Sequence, residues 1–280
     1  MPASRKRHFI AMLLGAATLI GVGALAGTAV LLSGVMSTAA TKQHFLITHR
    51  ILDVGLDQSV GAAIDDIEAP SLESPEMRLR GAACYQQHCA TCHGAPGVAP
   101  SAAALGMLPV PRNLAHSARQ HEPEWLYHVT RKGVRMTGMP AWEYRMPDES
   151  LWSTVAFLES LPDLDAQTYR ALLDESASAA CVPANTRFPP PESPQVLLRQ
   201  YACHSCHRIE GVVGPEVDTG PPLEDWSRRA YIAGTLPNTH ENLVRWLRDP
   251  KAVSPRTLMP DLGVTPEHAR MMADYLLAPP

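Results

Sequence analysis

Four of the six cysteines in this 280-residue chain lie in two pentapeptides of one pattern, Cys89-Ala-Thr-Cys92-His93 and Cys203-His-Ser-Cys206-His207. No other feature restricts the fold as strongly. Two thiols three positions apart share one helical turn, and the histidine that follows is carried along with them. The surroundings of the two pentapeptides also correspond. Each is preceded by a short helical stretch. Each is followed by a mid-unit helix (residues 124–131 and 241–248), then by a Met-Pro step at Met139-Pro140 and Met259-Pro260, then by an amphipathic closing helix. The two halves read as a divergent repeat with units at residues 75–162 and 195–280. No strand pattern is evident in either unit, so the expected fold class is all-α.

Cys-x-x-Cys-His is the attachment pattern of haem c. Both thiols reach the two vinyl groups of the macrocycle and form thioethers. The histidine is then held beneath the iron as its proximal ligand. The rival readings are a thioredoxin-like redox pair and half of a zinc site. The first needs a βαβ context that is missing, and the second fits two copies at matched places of a repeat poorly. The expectation is two covalent haems c, with Cys89, Cys92, Cys203 and Cys206 as anchors and His93 and His207 as iron ligands. A methionine thioether opposite the histidine would raise the potential and suit electron transfer. Met259 is the candidate in the second unit, because Met271 and Met272 fall on the closing helix. In the first unit Met107, Met136, Met139 and Met146 compete. Met139, between Gly138 and Pro140, is the expected ligand, with Met136 next.

The N-terminus fixes the setting. Arg5, Lys6, Arg7 and His8 precede an apolar run over residues 9–36 without a charge. As a helix at 1.5 Å per residue it would reach about 42 Å, more than the ~30 Å hydrocarbon core. This exceeds the apolar region of a cleaved signal, so an uncleaved anchor is expected, with cleavage near Ser37-Thr38-Ala39-Ala40 as the alternative. The basic cluster stays in the cytoplasm and the rest faces the periplasm, giving a single-pass protein of a bacterial inner membrane. Without Arg5, Lys6 and Arg7 the exported part holds 21 basic and 28 acidic residues, a formal −7. That balance excludes nucleic acid as a partner. Gly23-x-x-x-Gly27 is a weak helix-packing pattern. Residues 42–74 are expected to form an amphipathic connecting segment, with Leu56, Val60, Ala63, Ile64 and Ile67 at helical spacing. Residues 163–194 read as a further helix and a linker carrying Pro183, Pro189, Pro190, Pro191 and Pro194.

Cys84 and Cys181 remain; in an oxidising compartment they form a disulfide or stay as two buried thiols. His88, His116, His121, His128, His204, His240 and His268 read as surface or capping groups, and His44 and His49 as residues near the membrane. Aromatics are only 6% of the chain. Small domains tolerate that when each encloses a large flat macrocycle.

The motifs resemble those of class I cytochromes c, in particular membrane-anchored di-haem bacterial members. In the first unit the resemblance rests on Gly81, Tyr85, Cys89–Gly94, Lys132-Gly133 and Thr137–Trp142. In the second it rests on Gly214-Pro215, Arg229, Tyr231–Gly234, Leu236–Asn238, Asn242–Leu247 and Met259–Gly263. The second set is similar to cytochrome c domains that feed terminal oxidases, including those fused to a copper-bearing oxidase subunit. The resemblance implies three main helices around each haem with one haem edge exposed. It implies that Arg229, Tyr231 and Trp246 lie near the second haem and bond its propionates; ordinary packing and a solvated arginine are the alternative. It implies that the Pro215 carbonyl accepts a hydrogen bond from His207. The function it implies is electron transfer by two His/Met-ligated irons, without catalysis by the chain itself. The partners would be a terminal oxidase, a quinol–cytochrome c reductase or a dehydrogenase. A cytochrome subunit of a membrane-bound dehydrogenase and a di-haem peroxidase are the competing readings.

Overall fold

The computed structural model describes residues 3–43, 45–182, 188 and 190–279, with side chains from His8 onward. His44 and the linker prolines Pro183 and Pro189 lie outside the described residues. Helix α1 (Ala3–Leu32) contains a 25-residue apolar stretch, His8–Leu32, none of it buried, and fits a single-pass membrane anchor. The helix stops short of residue 36, the expected end of the anchor, and Gly34 takes a left-handed φ of 69° just beyond it. Helix α2 (Leu46–Gly61) follows and buries Val60. The amphipathic segment was expected to run on as one helix towards Ile67, but the helix ends at Gly61. Ile67 still packs on the first core, from a turn.

The first unit opens with α3 (Pro75–Cys84), capped by Ser74, whose Oγ accepts from the Met77 N–H at 3.4 Å, and started by Pro75. It runs through a π-helical turn (Tyr85–Cys89) into α4 (Ala90–His93). Then come α5 (Ala102–Leu105), α6 (Leu114–Ala118), α7 (Pro123–Lys132), α8 (Asp148–Ser160) and α9 (Ala166–Ser176). The core forms where α3 crosses α8. A Cβ at Gly81 would lie 1.9 Å from the Ser153 carbonyl oxygen, so only glycine permits this crossing. Across α7 and α8 the rings of Tyr127 and Trp152 stack at 4.0 Å, and Tyr85 meets Phe157 at 4.9 Å. Helix α9 packs on α3, and the segment after it is tied back by a disulfide between Cys84 and Cys181, Cα atoms 4.7 Å apart. The structure thus selects the disulfide over two free thiols.

The second unit comprises α10 (Pro194–Gln200), a 3₁₀ turn over Cys203–Ser205, another over Trp226–Arg228, α11 (His240–Arg248), α12 (Pro250–Val253) and α13 (Pro266–Leu277). Helix α13 packs on α10 and α11. Its start is as the sequence indicates: Thr265 Oγ1 accepts from the His268 N–H at 3.2 Å, and Pro266 occupies the first turn. One antiparallel ribbon interrupts the helical fold, β1 (Tyr231–Ile232) with β2 (Leu236–Pro237), in the register Tyr231↔Pro237 and Ile232↔Leu236. Ala233 and Gly234 turn it, with φ of 49° and 70°. The ribbon was not foreseen, since two-residue strands carry too few positions to show alternation.

The two units share a seam at residues 142–146. Trp142 and Met146 pack in the first core, whereas Tyr144 is buried in the second. Arg145 Nη1 donates to Gln200 Oε1 at 3.0 Å, its Nη2 donates to the Gln200 carbonyl, and its guanidinium lies 5.8 Å from the Tyr201 ring centroid.

Candidate functional site

Each pentapeptide presents its histidine in the same way. His93 Nδ1 lies 2.7 Å from the Arg112 carbonyl oxygen, and His207 Nδ1 lies 2.7 Å from that of Pro221. A carbonyl only accepts, so Nδ1 carries the proton in both rings and Nε2 is left with its lone pair. This is the usual way a protein orients an imidazole toward a metal. Pro215 was the expected acceptor for His207, but the acceptor is Pro221. Pro215 instead lines a cleft of about 180 Å³ shared with His204 and His207. The local chain explains the change: the Gly220 N–H donates to the Cys206 carbonyl at 2.8 Å, which folds residues 220–222 over the histidine. A Cβ on Gly220 would lie 2.3–2.9 Å from three ring atoms of His207, so the cradle exists only with glycine there.

Cys89, Cys92, Cys203 and Cys206 remain free thiols, although the same chain forms a disulfide elsewhere. Burial, and then the neighbouring Cys92, push the Cys89 thiol up to about 12; burial pushes Cys203 up to about 11. For Cys89 and Cys203 this is the opposite of the shift toward thiolate that a nucleophilic cysteine needs. No three His, Cys, Asp or Glu side chains gather into a metal cluster among the described residues, which weighs against the zinc reading. Burial also lowers the pKa of His93, partly offset by its bond to Arg112, and keeps the imidazole neutral. His88 Nε2, Trp125 Nε1 and His204 Nδ1 are buried polar atoms without a partner in the protein. Free paired thiols beside a histidine oriented by a backbone carbonyl fit a covalently held haem in each unit.

The two Met-Pro loops share a geometry that the residue-by-residue reading missed. Thr137 Oγ1 accepts from the Met139 N–H at 3.0 Å, and Thr257 Oγ1 accepts from the Met259 N–H at 3.2 Å. The signal was present as Thr-x-Met-Pro in both units. In the first unit the loop lies over Gly133, where a Cβ would be 2.6–2.7 Å from the backbone of residues 139–141. Met139 is half-buried, as is Met259, which packs on the second core. Of the competing methionines, Met146 is buried in the first core and Met136 is 94% exposed with φ of 61°. Met107 lies beside the loop, its Sδ 3.1 Å from the Cβ position of Gly138. Met272 is buried in the second core, as its place on the closing helix implies.

Arg229, Tyr231 and Trp246 differ in their surroundings. Trp246 is buried in the second core and Tyr231 is 60% exposed on the ribbon. The Arg229 guanidinium donates to the Pro222 carbonyl and lies 4.7 Å from the Trp226 ring centroid. It therefore braces the loop that holds His207, one residue beyond the Pro221 acceptor. Asn238 secures the same loop: its Nδ2 donates to the Trp226 and Arg229 carbonyls, each at 3.0 Å, and its Oδ1 accepts from Trp226 Nε1 at 3.1 Å. His268 is not a surface group; it is buried beneath the seam, with Nδ1 2.9 Å from the Tyr201 hydroxyl.

Residues 77–158 match the family described as cytochrome C oxidase, cbb3-type, subunit III. Two curated relatives are both named cytochrome c oxidase subunit 2. That of Alkalihalophilus pseudofirmus is 33% identical over 64 residues, 23% of this chain and 18% of the relative. That of Bacillus sp. (strain PS3) is 33% identical over 81 residues, 28% of this chain and 23% of the relative. The similarity thus spans only about a fifth of either relative's length. No solved structure matches the chain. Together these matches support a cytochrome c type of domain in the chain.

Proposed function

We propose that this chain is a membrane-anchored electron carrier with two covalent haems c that passes electrons to a terminal oxidase on the periplasmic side. One observation carries the reading: two Cys-x-x-Cys-His segments each direct histidine Nδ1 to a backbone carbonyl at 2.7 Å and leave four thiols free. The family match covers the first unit, and the second repeats its motif and its Thr-x-Met-Pro loop. The oxidase as acceptor is taken from the names of the similar proteins.

When bound, each haem supplies a one-electron iron couple. Cys89 and Cys92 hold the first haem and Cys203 and Cys206 the second. His93 and His207 would be the proximal ligands, their rings aimed by the Arg112 and Pro221 carbonyls. Met139 and Met259 would supply the thioether ligands, their loops held by the threonine two residues before each. The chain moves no proton and binds no substrate in this role. It would hold two redox groups beside histidines fixed by backbone hydrogen bonds, which limits reorganisation around them. The test is the mass of the denatured, full-length protein from a haem-maturing host. The expected value is the chain plus two haems, with one haem lost in a Cys203→Ser/Cys206→Ser variant. A chain with one haem, or none, defeats the reading. Reduction of the protein followed by mixing with candidate oxidases then tests the acceptor.

A further inference from the structure

Among the described residues, one face of helix α2 has no partner. Ile47, Ile51 and Val54 recur at i, i+4 and i+7 and are 64%, 63% and 61% exposed. Phe45 and Leu46 lie just before the stripe, and both are largely exposed. The opposite face carries the contacts with the first unit: Val60 is buried, Leu56 is half-buried, and Asp53 pairs with Arg112. A contiguous aliphatic strip of this kind marks an interaction surface.

Its position selects the partner. Helix α1 ends at Leu32 and α2 begins at Leu46, so thirteen residues separate them, at most about 45 Å of extended chain. The apolar residues concentrate at the end of α2 nearest that connection, and Asp57, Gln58 and Ser59 occupy the far end. Lys42 and Arg50, both exposed, flank the apolar end. The one acidic group in that half of α2, Asp53, is turned inward to Arg112 and His49. Aliphatic side chains with basic residues at their edge are the composition of a helix lying in a bilayer interface. Protein interface cores instead favour aromatic residues, methionine and arginine.

We propose that the face of α2 bearing Ile47, Ile51 and Val54 lies in the interfacial layer of the same bilayer that α1 spans. This rests on α1 being a retained anchor. Its consequence reaches the site. Arg112 pairs through its side chain with Asp53 of α2, and through its carbonyl with His93 Nδ1. The lipid-facing helix therefore fixes the side of the first unit that carries the proximal histidine toward the membrane, and the seam and second unit are held by the rest of the fold.

The experiment uses the full chain in phosphatidylcholine–phosphatidylglycerol nanodiscs and in native membranes, with p-benzoylphenylalanine placed at Ile51 or, as control, at the exposed Ser59. Illumination should attach lipid at position 51 at least tenfold more than at position 59. Cross-linking of position 51 to another protein chain in native membranes, or equal lipid labelling at both positions, overturns the proposal. The mass of the intact chain and its resistance to alkaline extraction report separately on α1. Retained α1 without lipid adducts at position 51 defeats the α2 proposal alone. Lost α1 defeats the anchor reading and, with it, the claim of a shared bilayer.

Discussion

The steric limit at Gly220 makes the second proximal site sensitive to a single methyl group. With ring atoms of His207 at 2.3, 2.6 and 2.9 Å from a Cβ position, Gly220→Ala must move either the imidazole or the loop that supplies the Pro221 carbonyl. If each unit holds a haem as proposed, the variant should keep both covalent groups but lose the normal ligation spectrum of the second alone. Unaltered spectra for both would show that the loop yields freely. The distal ligands are tested in the same way. Met139→Leu should remove the methionine-to-iron band of the first haem alone and lower its midpoint potential, because thioether ligation raises it. Persistence of the full band points instead to Met107, which lies beside the same loop. At this scale the two segments proposed to hold haem were legible because a spacing rule writes each into five consecutive residues. The acceptors of their histidines were not. A backbone carbonyl is offered by every residue, so whether Pro215 or Pro221 meets His207 depends on loop closure that no side chain announces.

Element boundaries were legible wherever a cap or a proline marks them. Thr265-Pro266-Glu267 is the example, and α13 begins there. How the elements cross was not legible, because Gly81 reads only as a weak helix former until α8 is laid against it. Gly81→Ala places a Cβ 1.9 Å from the Ser153 carbonyl oxygen and 2.8 Å from Phe157 Cβ. Backbone cannot step aside as a side-chain tip does, so the two central helices must separate. The expected loss is at or above the ~1–3 kcal/mol usual for overpacking, read as a fall in the denaturant midpoint of the first unit. The disulfide ties α3 to the segment after α9. Cys84 and Cys181 are 97 positions apart. The loop-entropy account assigns a closed loop of this size about 4–5 kcal/mol before any native strain. Cys84→Ser/Cys181→Ser should therefore lower the thermal midpoint of the first unit and release the segment after α9 to protease. An unchanged midpoint would mean that packing of Tyr169 and Phe157 alone holds α9 in place.

The whole molecule is organised by consecutive side chains that serve different cores. Tyr144 is buried in the second unit, Met146 in the first, and Arg145 between them binds Gln200. Neither hydropathy nor spacing reveals such a split, since all three residues sit in what reads as a loop before α8. Behind Tyr144 lies His268, its ring 6.1 Å away and edge-on, with Tyr201 hydrogen-bonded to Nδ1. Burial lowers the pKa of His268, and Arg145 lowers it further while Glu267 raises it. An unfolded histidine titrates near ~6.5. Above that pH the ring is neutral in both states and the shift contributes nothing. As the pH falls through that value the unfolded chain takes up the proton first, so folding stability declines with acidity until the folded pKa is passed. The seam should thus weaken on acidification from neutrality. Arg145→Ala removes the charge that opposes protonation, but also the link to Gln200, worth about 1–3 kcal/mol for charge-assisted bonds. Two measurements separate these effects. At neutral pH, calorimetry should give one unfolding transition for the native protein and two for Arg145→Ala, together with slower electron exchange between the haems. For His268→Gln, which keeps a polar partner for Tyr201 but cannot titrate, the loss of stability between neutral and mildly acidic pH should be smaller than in the native protein. An equal loss would assign the acid sensitivity to groups away from the seam. A single transition in Arg145→Ala would show that Tyr144, held in the second core, is enough to make the two units fold as one.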